Sequence, residues 1–133
     1  VTGWLGAIRP GDYVAIASFL PRTPELDAAA EELRHRVEDS SGAATMLGFG
    51  PRYLHSTGQL HKGGSDRVVL LFLTSEDPVD APIPDQPYTF SILKRAQALG
   101  DYQALQERRR RLLRLHLGPA PEQSLERVLQ AFA

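Results

Sequence analysis

Chemically varied side chains cluster over residues 48–64, immediately after a short apolar segment. The cluster contains two imidazoles, an amine, two hydroxyls and an amide: His55, His61, Lys62, Ser56, Thr57 and Gln59. Glycines among them permit positive φ angles and a close approach of the backbone to a ligand. This mixture suits a polar, anionic and hydroxylated small molecule, so we take these six residues as site candidates.

Other interpretations of the same stretch remain open or fit less well. A Gly/Ser/Thr-rich segment is also typical of an ordinary surface turn, and a histidine near a strand end often has only a structural hydrogen bond. A metal site at His55 and His61 lacks an H-E-x-x-H pattern, a carboxylate at ligand spacing and any cysteine. A serine nucleophile lacks a G-x-S-x-G motif. We expect neither a metal nor a cofactor.

The elements that position this stretch follow from apolar runs and helix caps. Residues 13–20 (YVAIASFL) form an apolar run bounded by prolines, as a buried parallel strand would be. Thr23 as an N-cap, followed by a proline and apolar residues at helical spacing, predicts a helix over about 24–39. Residues 43–49 are predicted as the next strand, and residues 50–66, which show no periodicity, as a loop.

The second half of the chain repeats this alternation. Residues 67–74 (RVVLLFLT) are the clearest strand and belong at the centre of a sheet, whereas the proline-rich residues 75–87 predict an extended surface connection. Thr89 is predicted to cap a helix that Gly100 ends, and a second helix covers residues 101 to about 109. The inward stripe of the first of these helices is predicted to be Ile92, Leu93, Ala96 and Leu99.

Leucines alternate with Arg114 and His116 over residues 111–117, which predicts a strand. Gly118-Pro119 ends it, and a last helix follows with an inward stripe of Leu125, Val128, Leu129 and Phe132. The order of elements predicts the α/β class, as one layered domain over residues 1–133 with a mainly parallel sheet flanked by helices. Ligands of such sheets bind at the carboxyl ends of the strands, where residues 48–64 begin.

Composition narrows the classes of partner and compartment. Hydrophobic residues make up 42% and charged residues 23% of the 133 residues, which is typical of a globular protein. A net charge of −1 gives no long-range attraction to nucleic acid or to an anionic membrane, so neither is an expected partner. The arginine-rich residues 108–111 are predicted to be a solvated face or to carry partner ion pairs, with phosphate or nucleic-acid contact as a minor alternative. The absence of cysteine agrees with a cytoplasmic location, and a start at Val1 predicts a piece of a larger polypeptide.

Two longer motifs resemble a known enzyme family. LGFGPRYLHSTGQLHKGG, followed by PYTFSILKRAQALGD, is similar to the carboxyl-terminal part of bacterial bifunctional transaldolase/phosphoglucose isomerase fusions, and the match covers nearly the whole chain. More distantly, His55-Ser56-x-x-Gln59 resembles the G-Q-H-S-x-x-Q segment of ordinary phosphoglucose isomerases. Those enzymes consist of two sugar-isomerase (SIS) domains, and the resemblance implies that this chain is the second, SIS-like domain.

The resemblance also implies a reaction and a set of partners. The family interconverts glucose 6-phosphate and fructose 6-phosphate by opening the sugar ring and moving a proton between C1 and C2 through a cis-enediol, without a metal. By the motif match His55 is the ring-opening acid/base, and Lys94 is the late lysine that works with it. Ser56, Thr57, Gln59, His61 and Lys62 become candidates for substrate contact. The implied partners are the first SIS domain, a possible transaldolase domain and a second subunit, because the histidine of classical members enters the neighbouring subunit's site.

Departures from the family pattern set limits on the isolated chain. None of the glutamates is followed by serine, so the E-S-x-G-K stretch that holds the family's base is missing, as is the Ser/Thr-rich phosphate loop. The late signature F-D-Q-W-G-V-E-x-x-K is not reproduced before Lys94, which puts a role for Gln86 in doubt. We therefore expect the isolated chain to fold, to lack most isomerase activity and to supply His55 and Lys94 to a composite site.

Lys94 is notable without the family as well. It is one of only two lysines, and it lies near the start of a predicted helix, where the helix dipole disfavours a cation. The simplest alternative is an ordinary surface lysine. At the level of the whole chain, the alternatives to an isomerase domain are a non-catalytic sugar-phosphate-binding domain that regulates a partner, and a purely structural dimerisation domain.

Overall fold

The computed structural model of the chain describes residues 2–55, 57–77 and 80–132. Its elements are α1 (Thr2–Leu5), β1 (Tyr13–Ser18), α2 (Pro24–Ser41), β2 (Ala44–Phe49), a 3₁₀ helix (Arg52–His55), α3 (Thr57–Gly63), β3 (Val68–Thr74), α4 (Phe90–Glu107), β4 (Arg111–His116) and α5 (Pro121–Ala131). Each strand agrees with a predicted one to within two residues at either end.

The four strands form one parallel sheet in the order β2-β1-β3-β4. This confirms the predicted α/β class with a parallel sheet flanked by helices. Tyr13, the first residue of β1, lies opposite Ala44 on one side and Val68 on the other. The chain therefore moves to one side of β1 to form β2 and returns to the other side to form β3. This reversal makes the carboxyl ends of β1 and β3 the topological switch point of the sheet.

Two hydrophobic cores lie on the two faces of the sheet. On one face Val14, Ile16, Val69 and Leu71 pack with apolar residues of α1, α2 and α5. On the other face, the alternate residues of β1 and β3 pack against α4 and the 3₁₀ helix; they are Ala15, Ala17, Val68, Leu70 and Phe72. Because both faces of the two central strands are buried, their sequences are continuously apolar rather than alternating.

The predicted loop over residues 50–66 contains two short helices instead. The 3₁₀ helix and α3 have four and seven residues, too few to show a helical period in the sequence. Arg110 stabilises the end of α3 from outside: its guanidinium donates hydrogen bonds to the carbonyl oxygens of His61, Lys62 and Gly64 at 2.7–3.1 Å. Arg110 is thus partly buried rather than solvated, and its Nη1 also pairs with Oδ1 of Asp66 at 3.6 Å.

The prediction that Gly100 ends a helix is wrong, because α4 continues through it to Glu107. A glycine inside a helix costs about 1 kcal/mol relative to alanine, which the packing of Ala98 and Leu105 on either side outweighs. The predicted apolar stripe is also wrong in part, since Ile92 and Leu99 are 53% and 47% exposed. The buried residues of α4 are Ala98, Asp101 and Leu105.

Two glycine substitutions test this packing in opposite directions. A Cβ at Gly50 would overlap the ring of Phe19, whereas one at Gly100 would meet nothing within 4 Å. We expect Gly50→Ala to lower the free energy of unfolding by roughly 1–3 kcal/mol through overpacking. Gly100→Ala should raise it by roughly 0.5–1 kcal/mol by reducing the freedom of the unfolded chain. Urea denaturation of both variants measures this, and a stabilising Gly50→Ala would contradict the described contact with Phe19.

Candidate functional site

A cavity of about 120 Å³ lies at the topological switch point, between α4 and the carboxyl ends of β3 and β4. We name it the switch-point cavity. Its polar lining residues include Thr74, Ser75, Asp77, Lys94, Arg114 and His116. Phe19, directly after β1, and Phe72 of β3 form part of its apolar wall. Carboxyl ends of parallel strands at a switch point are where ligands of α/β proteins bind, so the fold itself selects this cavity.

Lys94 enters the cavity from the first turns of α4. It lies on the side of the helix that faces the sheet, four residues before the buried Ala98 and seven before the buried Asp101. Its side chain is 23% exposed and its Nζ lies 2.5 Å from Oδ1 of Asp77, whose side chain is 11% exposed. A lysine on the inner face of a helix, paired with a partly buried carboxylate, is not an ordinary surface lysine.

The N-terminus of α4 is held by its own side-chain caps. Oγ1 of Thr89 accepts a hydrogen bond from the N–H of Ile92, and Oδ1 of Asp80 accepts one from the N–H of Ser91 at 3.0 Å. Hydrogen bonds from the Thr89 hydroxyl and from the N–H groups of Ser91 and Ala81 lower the pKa of Asp80 to about 2. Because these N–H groups already have partners, the helix end positions Lys94 and does not itself offer an anion site.

The opposite wall of the cavity carries polar residues that are not among the sequence-predicted site candidates. Thr74 and His116 are paired across β3 and β4, and Oγ1 of Thr74 lies 3.0 Å from Nδ1 of His116. Nε of Arg114 donates a hydrogen bond to the same oxygen at 3.3 Å. The alternation of Arg114 and His116 with leucines predicted their strand, but only the strand order shows that this strand borders the cavity.

A second depression, of about 380 Å³, adjoins the first. Asp77, Ser91 and Lys94 line both, and Pro21, Asp80 and Phe90 line only the second. Pockets that enclose a small ligand usually measure roughly 300–1,000 Å³, so the switch-point cavity by itself has room for only one end of such a ligand.

The structure places two of the remaining sequence-predicted candidates, His61 and Lys62, away from Lys94. His55 ends the 3₁₀ helix that follows β2, Thr57 begins α3, and Gln59 lies within α3. Ser56 and the side chains of His55 and Gln59 lie outside the described residues. His61 and Lys62 lie in the last turn of α3, where Arg110 binds their carbonyl oxygens just before β4 begins. They are therefore near the amino ends of the strands, at the opposite edge from the switch-point cavity.

Lys62 and Asp101 form a buried polar cluster with Tyr53. Nζ of Lys62 lies 2.6 Å from Oδ1 of Asp101, and the hydroxyl of Tyr53 donates a hydrogen bond to Oδ2 of the same carboxylate. Asp101 is only 4% exposed, and burial raises the pKa of Tyr53. The cluster joins α3 and the 3₁₀ helix to α4, and it lies roughly 10 Å along α4 from Lys94, at 1.5 Å per residue.

His61 is also buried in this region, at 3% exposure. Its Nδ1 lies 3.0 Å from the hydroxyl of Tyr13, the first residue of β1. Burial lowers the pKa of His61, against an opposing effect of the Asp101 carboxylate. His61 therefore holds α3 against β1 in its neutral form.

Removing the charge of Asp101 tests the structural role of the Lys62 cluster. Asp101→Asn keeps the side-chain shape but leaves the Lys62 ammonium, only 21% exposed, without a carboxylate. We expect a loss of about 3 kcal/mol in the free energy of unfolding, the lower end of the range for a broken buried pair. Glu32→Gln, which breaks the exposed Glu32–Arg36 pair, is the control and should cost roughly 0.5 kcal/mol or less. Equal losses in the two variants would contradict the buried pair.

The lowered pKa of His61 predicts a pH dependence of stability. Below the unfolded-state pKa of about 6.5, the unfolded chain binds a proton that the buried imidazole of the folded state resists. The folded state should therefore lose stability as the pH falls from 7.5 to 5, and the part due to His61 should be absent in His61→Gln. Thermal denaturation of both proteins over this range measures the difference, and parallel curves would exclude His61 as its source.

No group of three or more His, Cys, Asp or Glu side chains in residues 2–55, 57–77 and 80–132 is arranged to hold a metal ion. In the same part of the chain, the helices lack the length and apolar character needed to cross a lipid bilayer.

Comparison with known proteins shows a similar fold. The crystal structure of a hypothetical protein from Thermus thermophilus superposes with a TM-score of 0.75 at 20% sequence identity, over 96% of this chain and 35% of the Thermus chain. The chain thus spans about a third of the length of that protein. No protein-family model and no curated protein matches the sequence. At this identity the likeness defines an α/β domain of known type and carries no function with it.

Proposed function

We propose that this chain is the second SIS-like domain of an aldose–ketose isomerase that interconverts glucose 6-phosphate and fructose 6-phosphate. The observation that carries the proposal is the Lys94–Asp77 pair on the inner face of α4, in a cavity at the switch point of the sheet. Lys94 is the residue that the motif resemblance selects for ring opening. The fold places it where an α/β domain binds its ligand.

The chemistry requires positive charge beside the reacting oxygens. Opening the sugar ring needs a group that exchanges a proton with the ring oxygen, and the cis-enediol that follows develops negative charge as a proton moves between C1 and C2. An ammonium held by Asp77 on a rigid helix is preorganised to stabilise that charge. The pair thus gives Lys94 a fixed position at the edge of the cavity.

The remaining catalytic roles belong to His55 of this chain and to the first SIS domain of the same polypeptide. His55, six residues after the end of β2, provides the ring-opening imidazole, the side chain best suited to proton exchange near neutral pH. The base carboxylate and the phosphate-binding loop come from the first SIS domain of the same polypeptide. The proposed enzyme is a homodimer and acts in the cytoplasm. A transaldolase domain on the same polypeptide is part of the proposal, and a metal or cofactor is not.

The same cavity also suits a domain that binds a sugar phosphate without converting it. Its volume and its three arginine and lysine side chains would serve ligand recognition whether or not a base carboxylate is brought to the substrate. This is the alternative function, and it differs from the isomerase only in the outcome of an activity measurement.

Kinetics of the natural full-length protein test the proposal. We expect conversion of fructose 6-phosphate to glucose 6-phosphate, followed by a coupled assay, and a loss of kcat of about 10²-fold or more in Lys94→Met and in His55→Ala. Arg127→Met is the matched control, because it removes an exposed positive charge from α5 on the other face of the sheet. Circular dichroism and thermal denaturation show whether each variant is folded.

Each result has a definite meaning for the proposal. An active protein whose folded Lys94→Met variant keeps full kcat would reduce the Lys94–Asp77 pair to a structural contact. A protein that binds fructose 6-phosphate but does not isomerise it would establish the binding domain in place of the enzyme. A protein that neither binds nor converts it would overturn both.

A further inference from the structure

Ser75 is the residue of the switch-point cavity whose surroundings indicate a bound ligand. It directly follows β3, is 9% exposed and lines the cavity. Its Oγ is buried and has no hydrogen-bond partner within the part of the chain that the structure describes. Nearly all buried polar groups in folded proteins are paired, and leaving one unpaired is costly.

The backbone holds Ser75 firmly in this position. The N–H of Leu117 donates to the carbonyl of Thr74 at 2.7 Å, and the N–H of Glu76 donates to the carbonyl of Gly118 at 3.0 Å. These bonds continue the pairing of β3 with β4 on both sides of Ser75. The backbone of Ser75 is therefore held in place by the pairing of β3 with β4.

The charges around the hydroxyl select the kind of ligand. Among the described residues that line the cavity, three carry a fixed positive charge, Lys94, Arg95 and Arg114, and one, Asp77, carries a negative charge. The cavity is thus locally positive in a chain whose net charge is −1. His116 and Thr74 add further hydrogen-bonding groups to the same wall. A ligand with both an anionic group and hydroxyls satisfies this lining.

We propose that Ser75 binds the substrate, with its hydroxyl paired to a hydroxyl or carbonyl oxygen of a small hydroxylated anion that lies beside Lys94 and Arg114. The volume of about 120 Å³ is smaller than that of a pocket enclosing a whole small ligand, so the cavity accommodates one end of such a ligand. Identifying the ligand as a sugar phosphate rests on the proposed function. The role of Ser75 itself rests on the cavity and the unpaired hydroxyl.

The test uses Ser75→Ala in the natural full-length protein. Calorimetric titration with fructose 6-phosphate should show affinity weakened roughly tenfold, the size expected for one lost hydrogen bond in a ligand site. The melting temperature without ligand should be unchanged or higher, because the variant removes a buried hydroxyl that has no partner in the described structure. Ser40→Ala, at an exposed position of α2, is the matched control and should change neither quantity.

Neutral fructose and inorganic phosphate, titrated separately, divide the ligand into its two chemical parts. We expect each to bind more weakly than fructose 6-phosphate, and the weakening caused by Ser75→Ala to be seen with fructose 6-phosphate and fructose but not with phosphate. Fructose 6-phosphate affinity unchanged in Ser75→Ala, or a lowered melting temperature with unchanged affinity, would overturn the proposal. So would a wild-type protein that does not bind fructose 6-phosphate.

This outcome is separable from that of the isomerase proposal. If the protein does not isomerise fructose 6-phosphate but Ser75→Ala weakens its binding, the proposed function fails and the role of Ser75 stands. If the protein is an active isomerase and Ser75→Ala binds and turns over substrate normally, the function stands and the role of Ser75 fails.

Discussion

Parallel pairing of β1 with β2 on one side and β3 on the other constrains the rest of this molecule. It requires connections that cross the sheet, and it buries the central strands on both faces. It also makes the chain turn in opposite directions from the carboxyl ends of β1 and β3. The switch-point cavity lies at these strand ends. The position of the candidate site therefore follows from the strand order, and the side chains only determine its lining.

The inner face of α4 carries a charged residue in two places, and each is paired with a residue of opposite charge from another element. Near the carboxyl edge of the sheet Lys94 meets Asp77, and toward the amino edge Asp101 meets Lys62. The chain's two lysines thus occupy both pairs, although arginine is its usual basic residue. The first pair borders a cavity, whereas the second is enclosed together with Tyr53, so similar pairs occupy an open and a closed environment on the same helix.

Apolar runs and N-cap residues predicted the strands and helix starts correctly where a single physical effect sets the local structure. Continuous apolar runs predicted the strands because burial on both faces leaves no polar alternation, and Thr23 and Thr89 capped the predicted helices because their hydroxyls accept from the first turn. The sequence pattern predicted the end and the buried face of α4 wrongly, because tertiary packing also determines both. Gly100 did not end α4, and Ile92 and Leu99 did not turn inward, because packing against the sheet sets which face of this helix is buried.

The sequence by itself determined the α/β class and the strands, and it singled out Lys94 as a candidate site residue. Tertiary structure alone decided which candidates share a site, because residues distant in the chain meet only through strand order. It moved His61 and Lys62 to the opposite edge of the sheet from Lys94, and it brought Ser75 and His116 to the same cavity as Lys94. Neither Ser75 nor His116 has a sequence signal of function, since a hydroxyl or an imidazole gains one only from what surrounds it.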